Sequence, residues 1–372
     1  MPRSPKLAFA LISARRYNRL LEPPKIFAEI DYPHKGAGNG CPCRYFNFTI
    51  HRSRDWCAAL HSPMRVLITG GACFIGRHIV EHFHGRAEVR VLDNLRCGFK
   101  SDLSGLECER IVGSILDRDL VREAMKGVDF VFHLAAMVSV PGSVQRPSEY
   151  DEINAGGTAI VLEEAAQARA KKLIFSSSAA IYGDNPTIPT IESMPAEPKS
   201  PYATSKYEGE RHCCSFTDEG RLATVSLRYF NVFGPYQDPR GEYTAAVPAF
   251  IEKAIRDEPI TIFGDGRQTR DFIYVKDVVA ANAFFALKSQ ATGIFNVACG
   301  RQITITDLAL TIRNLTKSSS TINYGPARSG DVKHSVAGMD KTQRAGFRPV
   351  CDLAGGMRAT IEFFKKDLAA IE

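Results

Sequence analysis

A doubly wound, mostly parallel α/β sheet followed by a smaller C-terminal domain is the fold class this sequence predicts. Three observations carry that expectation. From Met64 onward, short β-branched runs alternate with amphipathic helical runs. The strands read as nearly continuous apolar stretches rather than alternating ones, as strands covered on both faces do. A glycine-rich turn, Thr69-Gly70-Gly71-Ala72-Cys73-Phe74-Ile75-Gly76, stands directly after the first strand and opens the first helix.

Taken in order, Arg65–Thr69, Glu88–Leu92, Phe130–Leu134 and Lys172–Ser176 are strand-like, while Arg77–Phe83, Leu120–Met125 and Ala159–Ala168 have helical texture. Beyond about Asn231 the chain becomes punctuated by Pro and Gly, as in Phe233-Gly234-Pro235-Tyr236-Gln237-Asp238-Pro239. Phe272–Val275 and Ile294–Val297 nevertheless look like further buried strands that return to the first domain. The expected division is a poorly structured extension over 1–63, a dinucleotide-binding domain over 64–234 joined by strands around 270–298, and a mostly substrate-binding domain over 235–372. No internal repeat is visible.

Composition excludes several classes. With 44% hydrophobic and 24% charged residues, the 372-residue chain is a globular protein. Its net charge of +6 sits in the leader, since residues 1–63 hold ten Lys/Arg against four Asp/Glu and the remainder is balanced. A neutral body argues against a nucleic-acid footprint, which needs clustered positive charge to displace counterions. Ten cysteines without regular spacing resemble reduced thiols rather than a disulfide framework, so a cytoplasmic location is expected. No apolar run approaches the roughly 20 residues that span a bilayer.

The glycine turn points to a dinucleotide. Gly70 makes the tight turn, Gly76 lets helix pack closely on strand, and the helix start aims its N–H groups at a pyrophosphate. Asp93 ends the next strand, where a carboxylate accepts hydrogen bonds from the adenosine ribose and repels a 2′-phosphate, so NAD is expected rather than NADP.

The chemical centre is read from Tyr202-Ala203-Thr204-Ser205-Lys206, whose i, i+4 spacing places phenol and ammonium on one helix face. Phe175-Ser176-Ser177-Ser178 just upstream brings hydroxyls to the end of a buried strand, at the crevice of such a fold. A free phenol titrates near 10, so a Tyr acting as base at neutral pH needs about 4 kcal/mol of phenolate stabilisation. A neighbouring lysine and a cationic nicotinamide are suited to supply it.

These residues, with His133-Leu134-Ala135-Ala136, Arg228-Tyr229-Phe230-Asn231-Val232-Phe233-Gly234-Pro235 and Thr269-Arg270-Asp271-Phe272, resemble the UDP-glucose/UDP-N-acetylglucosamine 4-epimerase family across residues 64–350. These are extended short-chain dehydrogenase/reductases with a Rossmann-type domain. The resemblance implies Ser178, Tyr202 and Lys206 as catalytic residues. It implies cofactor contacts from Gly70, Cys73, Phe74, Ile75, Gly76, Asp93, Asn94, Ser114, Ile115, Leu134, Ala135, Ala136, Asn154, Tyr202, Lys206 and Tyr229. On the UDP-sugar side it implies Ser139, Ser178, Asn231, Gln237, Arg270, Arg328, Asp331 and Ser335, with Asn231, Arg270 and Arg328 on the diphosphate and Asp331 on the uridine side. His133 is read as structural.

Two positions depart from the family pattern. Cys73 replaces the middle glycine of the loop, so a side chain is expected to crowd the cofactor or displace the loop. Ser114 stands where the family has an Asp for the adenine amino group. Ala179-Ala180 replace the acidic residues by which related 4,6-dehydratases and UDP-glucuronate decarboxylases are distinguished, leaving reversible oxidation at a carbinol and hence carbon-4 epimerisation. Small Ser335, at the position limiting bulk at sugar carbon 2, implies room for an N-acetyl group. The alternatives are another NAD-dependent nucleotide-sugar enzyme, such as a UDP-glucuronate 4-epimerase, or an impaired nucleotide- or RNA-binding homologue. A homodimer is the family default.

Overall fold

The computed structural model describes residues 63–96, 103–239, 245–327 and 332–369. The leader up to residue 62, and with it the expectation that it is poorly structured, lies outside them, as do Arg328 and Asp331. In chain order the first half contains β1 (Arg65–Thr69), α1 (Phe74–Phe83), β2 (Glu88–Asp93), β3 (Glu109–Val112), α2 (Arg118–Ala124), β4 (Phe130–His133), α3 (Val140–Gln145) and α4 (Pro147–Tyr150). A π-helical turn (Asp151–Gly156) leads into α5 (Gly157–Gln167), then β5 (Lys172–Ser178), a 3-10 turn (Ala179–Tyr182), α6 (Pro201–Asp218) and β6 (Thr224–Tyr229). The second half contains β7 (Asn231–Phe233), α7 (Ala246–Ile255), β8 (Ile260–Phe263), β9 (Thr269–Arg270), β10 (Phe272–Tyr274), α8 (Val275–Leu287) and β11 (Gly293–Val297). It ends with β12 (Ile303–Thr304), α9 (Ile305–Thr316), β13 (Ile322–Gly325), α10 (Asp340–Arg344) and α11 (Leu353–Ala369).

Seven strands form one sheet in the order β11-β6-β5-β4-β1-β2-β3, every neighbour parallel. Side chains alternate across it, so successive residues of β1 feed opposite cores. Val66 and Ile68 pack with Ile79 and Val80 of α1 and Val278 and Phe285 of α8. Leu67 faces the other way, toward Val121 of α2, Val161 and Leu162 of α5 and Phe216 of α6. The doubly wound class is thus what the structure has. The strand order reverses between β1 and β4, the point at which folds of this class place a ligand, at the carboxyl ends of the strands.

The second half builds its own core from Phe250 and Ile251 of α7, Ile260 and Ile262 of β8, Leu308 and Ile312 of α9, and Met357 and Ile361 of α11. Ile294–Val297 does return to the main sheet, as β11 at its edge. Phe272–Tyr274 does not: it pairs in parallel with β7 in a separate two-stranded ribbon. Because β11 occupies the free edge of β6, the chain continuing beyond β6 as β7 supplies the edge that β10 takes.

Gly76 fixes how closely α1 approaches β1, for a Cβ there would stand 2.1 Å from the Gly70 carbonyl oxygen. Gly76→Ala is expected to destabilise the protein by about 1–3 kcal/mol through overpacking. Denaturant unfolding checks this, and an unchanged midpoint would refute the packing role.

Candidate active site

The site is built from strand ends. At the end of β1, Gly70 adopts φ +71, and a Cβ on it would lie 2.7 Å from the Ala135 backbone nitrogen, so the turn and the loop after β4 touch only because Gly70 has no side chain. Helix α1 begins after Cys73 with no side-chain cap and no acidic residue in its first turn. In contrast, Asp117, Ser200 and Thr304 cap α2, α6 and α9. The leading N–H groups of α1 therefore face the crevice uncapped by any side chain, a fit for a pyrophosphate.

Asp93, buried at the end of β2, holds this loop. Its Oδ2 accepts from the Ala72 N–H at 2.9 Å and its Oδ1 from the Leu95 N–H at 2.8 Å. Cys73 takes φ −89 and ψ 173, ordinary extended backbone, so no left-handed conformation is demanded of it. The Cys73 N–H donates to the Gly70 carbonyl at 3.2 Å and the Arg77 N–H to the Cys73 carbonyl at 2.9 Å. The thiol lies 4.0 Å from Asp93 Oδ2, between the helix start and the carboxylate.

The remaining residues expected around a cofactor divide into two groups. Phe74 and Ile75 pack toward the second core, and Leu134, Ala135 and Ala136 are half-buried just past β4, with the Leu134 N–H donating to the Thr69 carbonyl at 3.1 Å. Asn94 is exposed and accepts from the Arg96 N–H, Ser114 Oγ accepts from the Leu116 N–H at 3.1 Å, and Ile115 is buried. Asn154 and Tyr229 have inward-directed polar groups. The Asn154 amide accepts from the Met137 N–H at 2.8 Å and donates to the Met137 carbonyl at 2.9 Å and to Ser205 Oγ at 3.0 Å. The Tyr229 hydroxyl meets Asn282, and burial raises its phenol.

Lys206 and Tyr202 share α6, which Ser200 caps with Pro201 at its first turn. Lys206 is 4% exposed as a residue, and its ammonium donates to the Ser176 carbonyl at 2.9 Å and lies 5.1 Å from the Phe175 ring centroid. Burial pushes its pKa down to about 8. Tyr202, half-buried one turn earlier, accepts from the Ser205 hydroxyl on its carbonyl at 2.9 Å. Ser178 ends β5, its Oγ accepting from the Ala180 N–H at 3.1 Å. Beneath them His133 lies between Thr69 Oγ1 at 2.7 Å and Thr158 Oγ1 at 2.9 Å. Burial, with the positive charge of Lys206, depresses it to about 3, so it is a neutral structural group.

On the opposite wall, Asn231 Nδ2 donates to the Asp271 carbonyl at 3.1 Å, Arg270 Nη1 to the Thr269 carbonyl at 2.9 Å, and Gln237 Nε2 to the Val232 carbonyl at 3.2 Å. The Ser335 N–H donates to the Thr269 carbonyl at 3.1 Å, bringing Ser335 beside the strand that carries Arg270. Ser139 caps α3 through its Oγ. Sequence reasoning missed Asp271 as an organiser: its buried carboxylate accepts from the N–H groups of Cys299 at 2.9 Å, Gly300 at 2.9 Å and Ala337 at 3.2 Å. Burial pushes that carboxyl up to about 6, opposed by these donors. An acidic residue directly before the apolar run Phe272–Val275 was the available signal.

Residues 66–298 match the family model described as the NAD dependent epimerase/dehydratase family. The chain belongs to that family. A putative UDP-glucose 4-epimerase of Methanocaldococcus jannaschii is 35% identical over 305 residues, covering 81% of this chain and 99% of the relative. The UDP-N-acetylglucosamine 4-epimerase of Methanobrevibacter ruminantium, solved in complex with UDP-N-acetylmuramic acid, superposes with a TM-score of 0.78 at 38% identity over 82% of this chain and 99% of that one. A Thermus thermophilus UDP-glucose 4-epimerase complex with NAD gives 0.75 at 36% identity over 81% and 99%. The family's chemistry is wider than epimerisation, since a UDP-N-acetyl-α-D-glucosaminuronate decarboxylase of Bacillus cytotoxicus is 32% identical.

Two outcomes are expected of this site. The folded pKa of His133, about 3, lies below the unfolded value of about 6.5. The unfolded chain therefore binds a proton that the folded one refuses. The corresponding stability is complete above about pH 6.5 and is lost as pH falls, by up to about 1.4 kcal/mol per unit. His133→Gln should flatten the stability profile between about pH 4 and 6 by about one proton, and parallel profiles would refute it. Cys73→Gly should tighten NAD binding about threefold to tenfold by clearing the space before Asp93, and equal dissociation constants by calorimetry would overturn the crowding.

Proposed function

We propose that this protein inverts carbon 4 of a UDP-hexose or UDP-N-acetylhexosamine through a transient 4-keto sugar. One observation carries the proposal: a buried lysine, Lys206, stands one turn after Tyr202 on α6 and donates to Ser176 on the strand ending in Ser178, in a sheet whose first strand leads into the start of α1 that no side chain caps. NAD is the cofactor, and when bound it would supply a reversible hydride acceptor for the sugar carbinol. Residues 64–234 hold it and residues 235–372 mostly hold the UDP-sugar, within a cytoplasmic homodimer. No helix among the described residues is long and apolar enough to cross a membrane.

Each protein group has a physical task. Tyr202 accepts the hydroxyl proton, aided by the positive charge of Lys206, which favours phenolate. Ser178 orients the hydroxyl. Gly70, Gly76 and the first turn of α1 receive the pyrophosphate, and Asp93 the adenosine ribose. Asn231, Arg270 and Arg328 bind the UDP diphosphate, with the guanidinium forks suited to its geometry. Elimination and decarboxylation are disfavoured because Ser178 is followed by Ala179-Ala180, with no carboxylate at either position.

The test incubates purified protein with UDP-N-acetylglucosamine and with UDP-glucose, following carbon-4 stereochemistry by NMR and NADH by absorbance. Inversion without NADH release is expected. Loss of water or carbon dioxide from any UDP-sugar, or stoichiometric NADH release, overturns the proposal. Ser335→Tyr should lower kcat/KM for the N-acetylated pair by at least about tenfold relative to UDP-glucose, and unchanged selectivity would remove Ser335 from the sugar pocket.

A further inference from the structure

Tyr202 and Lys206 are two members of a longer series, because Glu210 follows on the same face of α6 one further turn along. Glu210 is 1% exposed and Arg228, on neighbouring β6, is 2% exposed. Their bond is bidentate, with Arg228 Nη2 donating to Oε2 at 2.6 Å and Nε to Oε1 at 2.8 Å. Glu210 Oε1 also accepts from the Ser177 hydroxyl at 2.6 Å. One carboxylate thus joins α6 to the ends of both β5 and β6, next to the residues that carry the proposed chemistry.

The connection continues toward the opposite wall. The Arg228 guanidinium stands 4.6 Å from the ring centroid of Tyr182, whose hydroxyl donates to Asn296 Oδ1 at 2.6 Å. Asn296 Nδ2 then donates to the carbonyls of Thr190 at 3.0 Å and Gly338 at 3.1 Å. Gly338 belongs to the segment that contains Ser335. A buried bidentate pair is a costly structural element, since an apolar pair of similar volume is often as stable or more so. Stability alone therefore does not account for two charges at this place.

We propose that Glu210 and Arg228 are positioning residues: a charge-neutral strut that sets the register of Tyr202 and Lys206 against β5, and whose balance sets the electrostatic potential at the Tyr202 phenol. The inference rests on the assignment above of Tyr202 as proton acceptor. Beside Lys206 itself, the nearby groups leave the strut as the controlling charge. His133 on β4 is neutral, Tyr229 on β6 is held protonated by burial, and Cys213 on α6 is driven far up by burial. The carboxylates of the π-helical turn, Asp151 and Glu152, are exposed and solvent-screened, while Glu149 of α4 is paired with Arg96 and Arg146, and Glu163 and Glu164 of α5 with Arg118.

Glu210→Gln keeps shape and hydrogen bonding but leaves the guanidinium, which stays protonated at any working pH, uncompensated. Tyr202 lies two helix turns away, about 12 Å along the axis, and at an effective dielectric of about 20 to 40 one unit charge there shifts a titration midpoint by about half to one pH unit. The NAD-loaded protein is titrated by phenolate ultraviolet difference absorbance, with the Tyr202→Phe protein subtracted. The midpoint in Glu210→Gln should fall by that amount, and in the double variant Glu210→Gln/Arg228→Gln it should return to the wild-type value. Turnover by Glu210→Gln should show the same acid-ward displacement of its pH profile, with kcat reduced more than KM is changed.

An unshifted midpoint in Glu210→Gln, or a shifted one in the double variant, overturns the strut. If Glu210→Gln does not fold, Arg228→Gln decides, because it leaves the carboxylate uncompensated: its midpoint should rise by the same amount, and an unshifted one overturns the strut. Absence of epimerisation by the wild-type protein sinks the catalytic assignment and leaves the phenol titration readable, so the two failures are distinguishable.

Discussion

Lys206 imposes the governing constraint: an ammonium almost wholly removed from water, whose resolved protein acceptor is the backbone carbonyl of Ser176. Desolvation disfavours its charge, so the fold holds a group whose charge is unusually responsive to what enters the crevice. The surroundings are arranged accordingly. His133, one strand over, is locked between two threonine hydroxyls and denied a proton, so it adds no competing positive charge. Phe175 offers a ring face rather than a carboxylate. The carboxylate one turn on, Glu210, is taken up by Arg228 instead.

Sheet topology brings these groups to one place. β1 and β4 lie adjacent at the point where strand order reverses, so their following loops diverge and leave an opening. Thr69 closes its floor: its hydroxyl meets His133 Nδ1 at 2.7 Å and accepts from the Ala135 N–H at 3.3 Å, tying the glycine turn to the loop across from it. The substrate wall is assembled differently, from backbone hydrogen bonds that converge on Asp271, which gathers segments near 300 and 337.

Much of this was legible in the sequence because it rests on local patterns. The strand–helix alternation, the glycine turn and the Tyr-Lys spacing are set within a few residues of one another, and their periodicity survives without tertiary information. What was not legible depends on distant pairing. Nothing local reveals that Phe272–Tyr274 joins β7 rather than the main sheet, since that choice turns on β11 having taken the edge of β6. The bond between Glu210 and Arg228 joins a helix to a neighbouring strand. Cys73 was only half legible: a side chain in the middle of the glycine turn is plain in the sequence, but its extended backbone and the approach of its thiol to Asp93 are properties of the folded turn.

The late arrival of β11 bears on synthesis at the ribosome. When Tyr229 has left the exit tunnel, β6 has one border without its strand partner, and that border stays open until Gly293–Val297 is made. Such borders template association with other chains. The nascent protein is therefore most prone to aggregate in that interval, and chains prematurely ended between these points would be substrates for chaperones or proteases rather than partly active enzymes.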